Sequence, residues 1–214
     1  DSMGDVQRGL EVVEHACGLS HIMQGETLQN ISRGINTYSF RVPLGVCAGI
    51  APYNFPAMIP MWMFPFAITC GNTYVFKPSE KVAGAANHLA KLCQEINLPK
   101  GVLNIVQGGF DTTRQICHHP DIKAISFVGG NRAGEYIYTE GAKSGKRMQC
   151  NMGAKNHGVI MPDADKEDAL NALANAAFGA SGQRCMALST AVFVGEAGEW
   201  IKDLVPKAQS FKIG

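Results

Sequence analysis

From Asp5 to Cys17 the apolar positions Val6, Leu10, Val13 and Cys17 recur at helical spacing, which predicts a first helix. Between Glu26 and Val42 the period changes. Tyr38, Phe40 and Val42 alternate with Thr37, Ser39 and Arg41, the pattern of a half-exposed strand, and Arg33-Gly34 can turn a hairpin. That hairpin carries little core signal of its own, so a pairing partner outside the chain is expected. From Val42 to Phe76 there is no Asp, Glu, Lys, Arg or His. Pro43, Pro52, Pro56, Pro60 and Pro65 interrupt the stretch, so it reads as a buried strand (Gly45–Ala51), a Pro-opened buried helix (Phe55–Cys70) and a second strand (Thr73–Lys77), not as a membrane span.

Strand and helix then alternate. Pro78-Ser79-Glu80 opens a helix to about Asn97, and Leu98-Pro99-Lys100-Gly101 stops it. Strands follow at Val102–Val106 and Ala124–Val128, with a short helix Asp111–Cys117 between them and another from Arg132 to Glu140. A short strand at Lys146–Cys150 ends where Asn151 to Asn156 break the register. Beyond lie a strand Gly158–Met161, an Ala-rich helix Lys166–Phe178, a strand Ser189–Val194 and a helix Glu199–Ala208. The alternation predicts a doubly wound parallel α/β sheet with ligands at the C-terminal strand ends, and a boundary near residue 152.

Composition narrows the function classes. The chain has 214 residues, 46% of them hydrophobic and 17% charged, which excludes a disordered chain. Its 19 Lys+Arg against 18 Asp+Glu leave no basic excess to displace phosphate counterions, so nucleic acid is not an expected partner. The 24 glycines exceed average usage, as turns that approach a ligand require. The 7 cysteines are odd in number, lack a CxxC pair and form no metal-ligand spacing, so they read as reduced thiols. The first residues show no signal or transit peptide.

Four segments carry candidate chemistry. Cys185, in Gly182-Gln183-Arg184-Cys185-Met186, sits in a loop where a side chain can face a cleft, and a cation such as Arg184 beside it helps a thiol act as a nucleophile. Asn54, at the end of a buried strand, can donate to a developing oxyanion or cap the next helix. Lys77 and Glu80 can bracket ribose hydroxyls, the carboxylate disfavouring a 2′-phosphate; equally, Ser79 and Glu80 can simply start a helix. Gly129-Gly130-Asn131-Arg132-Ala133-Gly134 can seat a pyrophosphate on helix N–H groups without being a GxGxxG fingerprint. His118-His119 suggests no function, and Trp62 with its neighbouring methionines reads as core.

Taken in order, Ala51-Pro52-Tyr53-Asn54-Phe55-Pro56, Lys77-Pro78-Ser79-Glu80, Phe127-Val128-Gly129-Gly130 and Gly182-Gln183-Arg184-Cys185 resemble the aldehyde dehydrogenase superfamily over essentially the whole chain. Asn151–His157 and Gly182–Ser189 are similar to its mitochondrial, CoA-acylating branch acting on malonate and methylmalonate semialdehydes. The resemblance implies a Rossmann-like NAD-binding domain (1–23 and 43–151), a protruding hairpin for oligomerisation (24–42) and the N-terminal part of a catalytic domain (152–214). It implies that Cys185 is the nucleophile, that Asn54 and the Cys185 N–H form the oxyanion hole, and that NAD accepts the hydride. Lys77, Glu80 and Lys81 would line the adenosine side, Ala51 and Tyr53 would border the cofactor, and Gly130, a Ser in many relatives, would touch the pyrophosphate through backbone. Arg8 and Arg184 would hold the substrate carboxylate. Asn151 stands where hydrolytic relatives have a Glu base, which implies that the acyl group goes to coenzyme A, with loss of CO2 and formation of acetyl- or propionyl-CoA. A homotetramer in the mitochondrial matrix is implied, without metal, nucleic acid or membrane. A hydrolytic dehydrogenase and a truncated, noncatalytic nucleotide-binding fragment are the alternatives.

Overall fold

The uncharged stretch folds as a strand, a helix and a strand, and one half of the molecule is built around it. The computed structural model describes residues 2–212, which divide into two compact units, residues 2–152 and 153–212. The first contains α1 (Ser2–Cys17), the one-turn α2 (Leu19–Ile22), β1 (Thr27–Ser32), β2 (Ile35–Tyr38), β3 (Val46–Ile50), α3 (Met58–Thr69) and β4 (Thr73–Lys77). It continues through α4 (Ala83–Glu95), β5 (Leu103–Ile105), α5 (Phe110–His118), β6 (Ile122–Val128), α6 (Asn131–Lys143) and β7 (Arg147–Asn151).

Five parallel strands form one sheet in the order β5-β4-β3-β6-β7. The chain enters at the centre, winds to one edge, then returns to pair β6 against the other side of β3, so the switch point lies between β3 and β6. Alternate residues feed two cores. Met58, Ile59, Met61 and Phe64 of α3 pack on Tyr74 and Phe76, whereas Ile50, Ile125 and Phe127 meet Ile116, Cys117 and Ile137. This is the expected doubly wound sheet.

α1 begins at Ser2, ahead of the expected Asp5, and two later helices of this unit start after the expected residue. α3 begins at Met58, not Phe55, because Phe55 precedes Pro56 and is driven out of the helical region. Its N-cap Ala57 has no side-chain acceptor. Instead the Asp5 carboxylate on α1 accepts from the Ala57 and Met58 amides at 3.0 and 2.9 Å. Asn54 is therefore not the N-cap residue. α1 lies close enough to α3 for this because Gly9 faces Met58 and Met61, where a Cβ would collide. α4 begins at Ala83, not Pro78: the Ser79 hydroxyl accepts from the Lys81 amide at 3.3 Å, a local turn that competes with the helix.

Buried polar groups tie strand ends to loops. The Asn72 carboxamide accepts from the amides of Leu44 and Gly45 and donates to the Ala67 carbonyl. The Lys146 ammonium donates to the carbonyls of His119 and Ile122. β1 and β2 pair across Arg33-Gly34 with every residue exposed, and Leu28, Ile31, Ile35, Tyr38, Phe40 and Val42 are uncovered.

In the second unit, β8 (Asn156–Ile160) pairs in parallel with β9 (Leu188–Phe193). Between them run α7 (Lys166–Phe178), capped by Asp165, and a tight turn at Gly179–Gly182; a second tight turn at Gly195–Trp200 leads to α8 (Ile201–Gln209). The last helix starts at Ile201 because Glu199 and Trp200 belong to that second turn. Ile160, Leu170, Leu173 and Ala197 form its small core. No helix among the described residues is long and apolar enough to cross a membrane.

Candidate functional site

At the switch point the C-terminal ends of β3, β4 and β6 open onto a cleft of 840 Å3. Five residues chosen from sequence line it together: Ala51, Tyr53, Lys77, Glu80 and Gly130. The sixth, Lys81, holds its ammonium 4.9 Å from the centre of the Tyr53 ring, a cation–π contact at the rim. The cleft also gathers Phe110, Thr113, Arg132, Tyr136 and Ile137, which sequence reading did not assign. Arg132 stood inside the quoted glycine-rich turn. Phe110 and Tyr136, whose rings lie 5.0 Å apart, gave no signal beyond being aromatic.

Lys77 and Glu80 have unequal parts. The Lys77 side chain is 5% exposed and donates to the carbonyls of Pro78 and Gly108 at 2.8 and 2.7 Å. Burial pushes its pKa down, and the Glu80 carboxylate, 3.7 Å away, opposes that shift. Glu80 is 62% exposed, lines the cleft and has one carboxylate oxygen facing Lys77. Lys77 thus anchors the wall, and Glu80 is the group able to accept from a ligand hydroxyl.

α6 starts at this wall. Its N-cap is Gly130, with no side-chain cap, and the residues Gly129 to Ala133 line the cleft. A helix N-terminus of this kind presents backbone N–H groups and a partial positive charge to an anion. A Cβ at Gly130 would meet open space, so backbone is what that position contributes here and a larger residue would fit.

A second cavity, of 480 Å3, lies between α3 and the same sheet and is lined by Trp62, Cys47, Cys70, Ser126, Gln149 and Asn151. Trp62 is 37% exposed there, which corrects the expectation that it is core; Met58, Met61 and Met63 are core. The turn of a helix decides the difference, and a periodic apolar stretch without polar positions hides it. Asn151 ends β7 with an exposed side chain, and its carbonyl accepts from the Gly129 amide at 3.1 Å.

In the second unit Cys185 is exposed, in a turn closed by the Ala187 amide on the Arg184 carbonyl at 3.1 Å. Leading into it, Ala180, Ser181 and Gly182 are all left-handed, with φ of 51°, 55° and 69°. Two consecutive non-glycine residues in that region are strained, as at many functional loops. The Arg184 guanidinium lies over Gly179, where a Cβ would meet it at 2.7 to 2.8 Å. Burial raises the pKa of Cys47, Cys93 and Cys150 and lifts Cys117 to about 11, keeping those thiols protonated. Cys17 is also exposed, but on α1, with its sulfur donating to the Val13 carbonyl.

Arg8 is not among the residues lining either cavity. It stands on α1 with its guanidinium 2.8 Å from Glu11, both solvated. Among the described residues no group of His, Cys, Asp and Glu could hold a metal ion.

The model of the aldehyde dehydrogenase family matches residues 1–214. This chain belongs to the aldehyde dehydrogenase family. The mitochondrial acylating methylmalonate-semialdehyde/malonate-semialdehyde dehydrogenase of Mus musculus is 62% identical over 213 residues, covering 100% of this chain and 40% of that protein. The corresponding mitochondrial methylmalonate-semialdehyde dehydrogenase of Arabidopsis thaliana is 61% identical, with 35% of its length covered. Among solved structures, a Sinorhizobium meliloti protein assigned as methylmalonate-semialdehyde dehydrogenase and complexed with NAD superposes with a TM-score of 0.95 at 50% identity, over 99% of this chain and 43% of that one. The methylmalonate-semialdehyde dehydrogenase of Oceanimonas doudoroffii gives 0.95 at 48%, over 99% and 44%. The chain therefore spans about two fifths of the length of these relatives. As an aldehyde dehydrogenase family chain it holds a cleft at the switch point in one unit and an exposed cysteine turn in the other.

Proposed function

We propose that the polypeptide carrying this sequence is an NAD-dependent, CoA-acylating dehydrogenase of malonate and methylmalonate semialdehydes, placed in mitochondria like the Mus musculus and Arabidopsis thaliana relatives. The observation that carries the reading is the cleft at the switch point, which collects Ala51, Tyr53, Lys77, Glu80 and Gly130 around one helix N-terminus. Its residues fit a dinucleotide on their own chemistry. The N-terminal turn of α6 suits a pyrophosphate, the exposed Glu80 suits ribose hydroxyls and disfavours a 2′-phosphate, and Ile50, Phe110 and Tyr136 supply apolar walls. NAD, when bound, supplies the hydride acceptor.

The chain's own groups do the rest. The Cys185 thiolate adds to the aldehyde carbon, and the Asn54 carboxamide and the Cys185 N–H stabilise the oxyanion that forms. Loss of hydride from that carbon leaves a thioester on Cys185. Asn151 cannot take a proton from water as a carboxylate would, so the thioester persists until the thiol of coenzyme A displaces Cys185. The substrate carboxylate leaves as CO2, and the balance is semialdehyde, CoA and NAD+ to acyl-CoA, CO2 and NADH. Arg184 and Arg8 are assigned to that carboxylate. The solvated Arg8–Glu11 pair is of the weak, exchangeable kind, so the guanidinium can take a new partner. The domain assignment of the sequence reading is retained, with the apolar, exposed β1–β2 hairpin as the surface on which copies of the chain assemble into a homo-oligomer.

The test follows NADH absorbance in the native polypeptide with methylmalonate semialdehyde, with and without coenzyme A. Turnover that depends on CoA and vanishes in Cys185→Ser supports the reading. Equal turnover with water alone overturns the acylating assignment, and retained turnover in Cys185→Ser overturns the nucleophile.

A further inference from the structure

We infer that Asn156 is a positioning residue for Cys185, its carboxamide fixing the turn that presents the sulfur and the neighbouring N–H. The inference rests on the reading of Cys185 as nucleophile and adds a residue to which no role has been given above. Asn156 is the first residue of β8, paired in register with Leu188 of β9, three residues beyond Cys185. Its half-buried side chain donates to the Cys185 carbonyl at 2.8 Å and to the Ala187 carbonyl at 3.1 Å. Both partners are acceptors, so only the NH2 side of the amide can serve them, and its two hydrogens serve one carbonyl each.

The two peptide planes that flank Cys185 are thereby both held. In the plane before it, the Arg184 carbonyl accepts from the Ala187 amide across the turn. A trans peptide sets its N–H opposite its carbonyl, so the Cys185 N–H points away from the turn interior. In the plane after it, the carbonyl of Cys185 is fixed by Asn156. One backbone bond and one side chain thus bear directly on the φ and ψ of the nucleophile. Cys185 is exposed, so apolar burial does little to hold it. An exposed loop position held by polar bonds moves when one is removed, and a displacement near 1 Å at a reacting group costs about 100-fold in rate.

The experiment uses the native polypeptide and two variants that separate donors from packing. Asn156→Leu keeps the volume and removes both donors; Asn156→Ser loses volume and keeps one. The readouts are the pre-steady-state NADH burst with propanal, the KM for NAD, the rate of Cys185 alkylation by iodoacetamide, and the thermal midpoint. The expected result is a burst about 100-fold slower in Asn156→Leu and about 10-fold slower in Asn156→Ser, alkylation altered in the same order, and an unchanged KM for NAD. A role in packing alone reverses the order, with Asn156→Ser the worse variant, and overturns the inference. So does a normal burst in Asn156→Leu. Should Asn156→Leu fail to fold, the Ser variant decides: a burst within twofold of the parent overturns the inference. Cys185→Ser separates the two readings. A burst that survives in it removes the nucleophile itself, whereas a burst that it abolishes and Asn156→Leu leaves intact removes only the positioning role.

Discussion

Replacing Asp5 by Ala removes the acceptor for two amides at the start of α3, one at 3.0 Å and one at 2.9 Å. The N-cap residue Ala57 has no side-chain oxygen of its own to replace it. A lost N-cap costs about 1 kcal/mol, and a charge-assisted bond at a half-buried site is worth about 1.5 to 3 kcal/mol. Two such bonds sharing one carboxylate are not additive, so the expected loss is about 2 to 3 kcal/mol. For a unit of this size that is a fall of about 5 to 10 °C in midpoint. Asp5→Asn keeps one acceptor and turns a donor toward the second amide, so it should lose more than half as much. Only two tryptophans are present, Trp62 on α3 and Trp200 in the second unit, so a Trp200→Phe background leaves Trp62 as the reporter in urea unfolding. Amide exchange at Ala57 and Met58 should speed up in parallel. A change below about 0.5 kcal/mol with unaltered exchange refutes the capping account. Asn54 lies three residues before Ala57, so the same substitution should slow NADH formation more than it alters the KM for NAD.

Three further outcomes follow from the same structure. Glu80→Gln removes the carboxylate that repels a 2′-phosphate and should shift the NAD:NADP preference toward NADP by about tenfold, read as the ratio of kcat/KM values. Asn151→Glu introduces a carboxylate base and should let NADH form without coenzyme A; continued strict CoA dependence counts against the role given to Asn151. In the second unit, hydrogen bonds from Lys207 and Lys166 hold Glu167 and Asp203 below their usual values of 4.5 and 3.8. Lowered folded pKa values mean that the stabilisation is present above the unfolded carboxyl range and is lost as pH falls through the folded values, so the α7–α8 contact should loosen below about pH 4. Trp200 fluorescence against pH, compared with Lys207→Met, reads this; an identical acid transition in the variant rejects it.

The sheet was legible because its signal is local and repeated. Strands such as Val46–Ile50 and Thr73–Lys77 are short apolar runs bounded by Gly and Pro, and parallel pairing buries both faces, so period, length and punctuation agree. The cleft was legible for a related reason: ligand ends of a doubly wound sheet are fixed by topology, so Lys77, Glu80 and the turn at Gly130 could be named before any distance was known, and the family resemblance added Ala51 and Tyr53. The starts of α3 and α4 were not, because capping need not come from neighbours, whereas α7, capped by the adjacent Asp165, begins at Lys166 as expected. Ser79 has the right chemistry and spends its hydroxyl on a local turn, while Ala57 has none and is served from 52 residues away. The resemblance gave Arg8 the substrate carboxylate, but the structure pairs it with Glu11 and leaves it outside both cavities. Trp62 was hidden by its neighbours, since a helix apolar all round does not declare which side meets a cavity.

The two backbone segments on which the chemistry is proposed to stand share one construction. The turn after β3 that carries Asn54 runs into amides held by Asp5, and the turn before β9 that carries Cys185 has carbonyls held by Asn156. In neither is the reacting side chain itself buried in the apolar core. A reacting group must stay reachable, and apolar packing cannot fix a residue that has to remain open to a ligand. Charge or amide groups supplied from 52 and 29 residues away can do so, because hydrogen bonds to backbone fix peptide planes without covering the side chain. On this account, substitutions at Asp5 and Asn156 should disturb reaction rate well beyond what their effect on stability predicts, whereas a core substitution away from both cavities, such as Ile125→Val, should leave the rate per folded molecule unchanged. Rates that track thermal midpoint alike in all three variants would show that these clamps serve the fold alone.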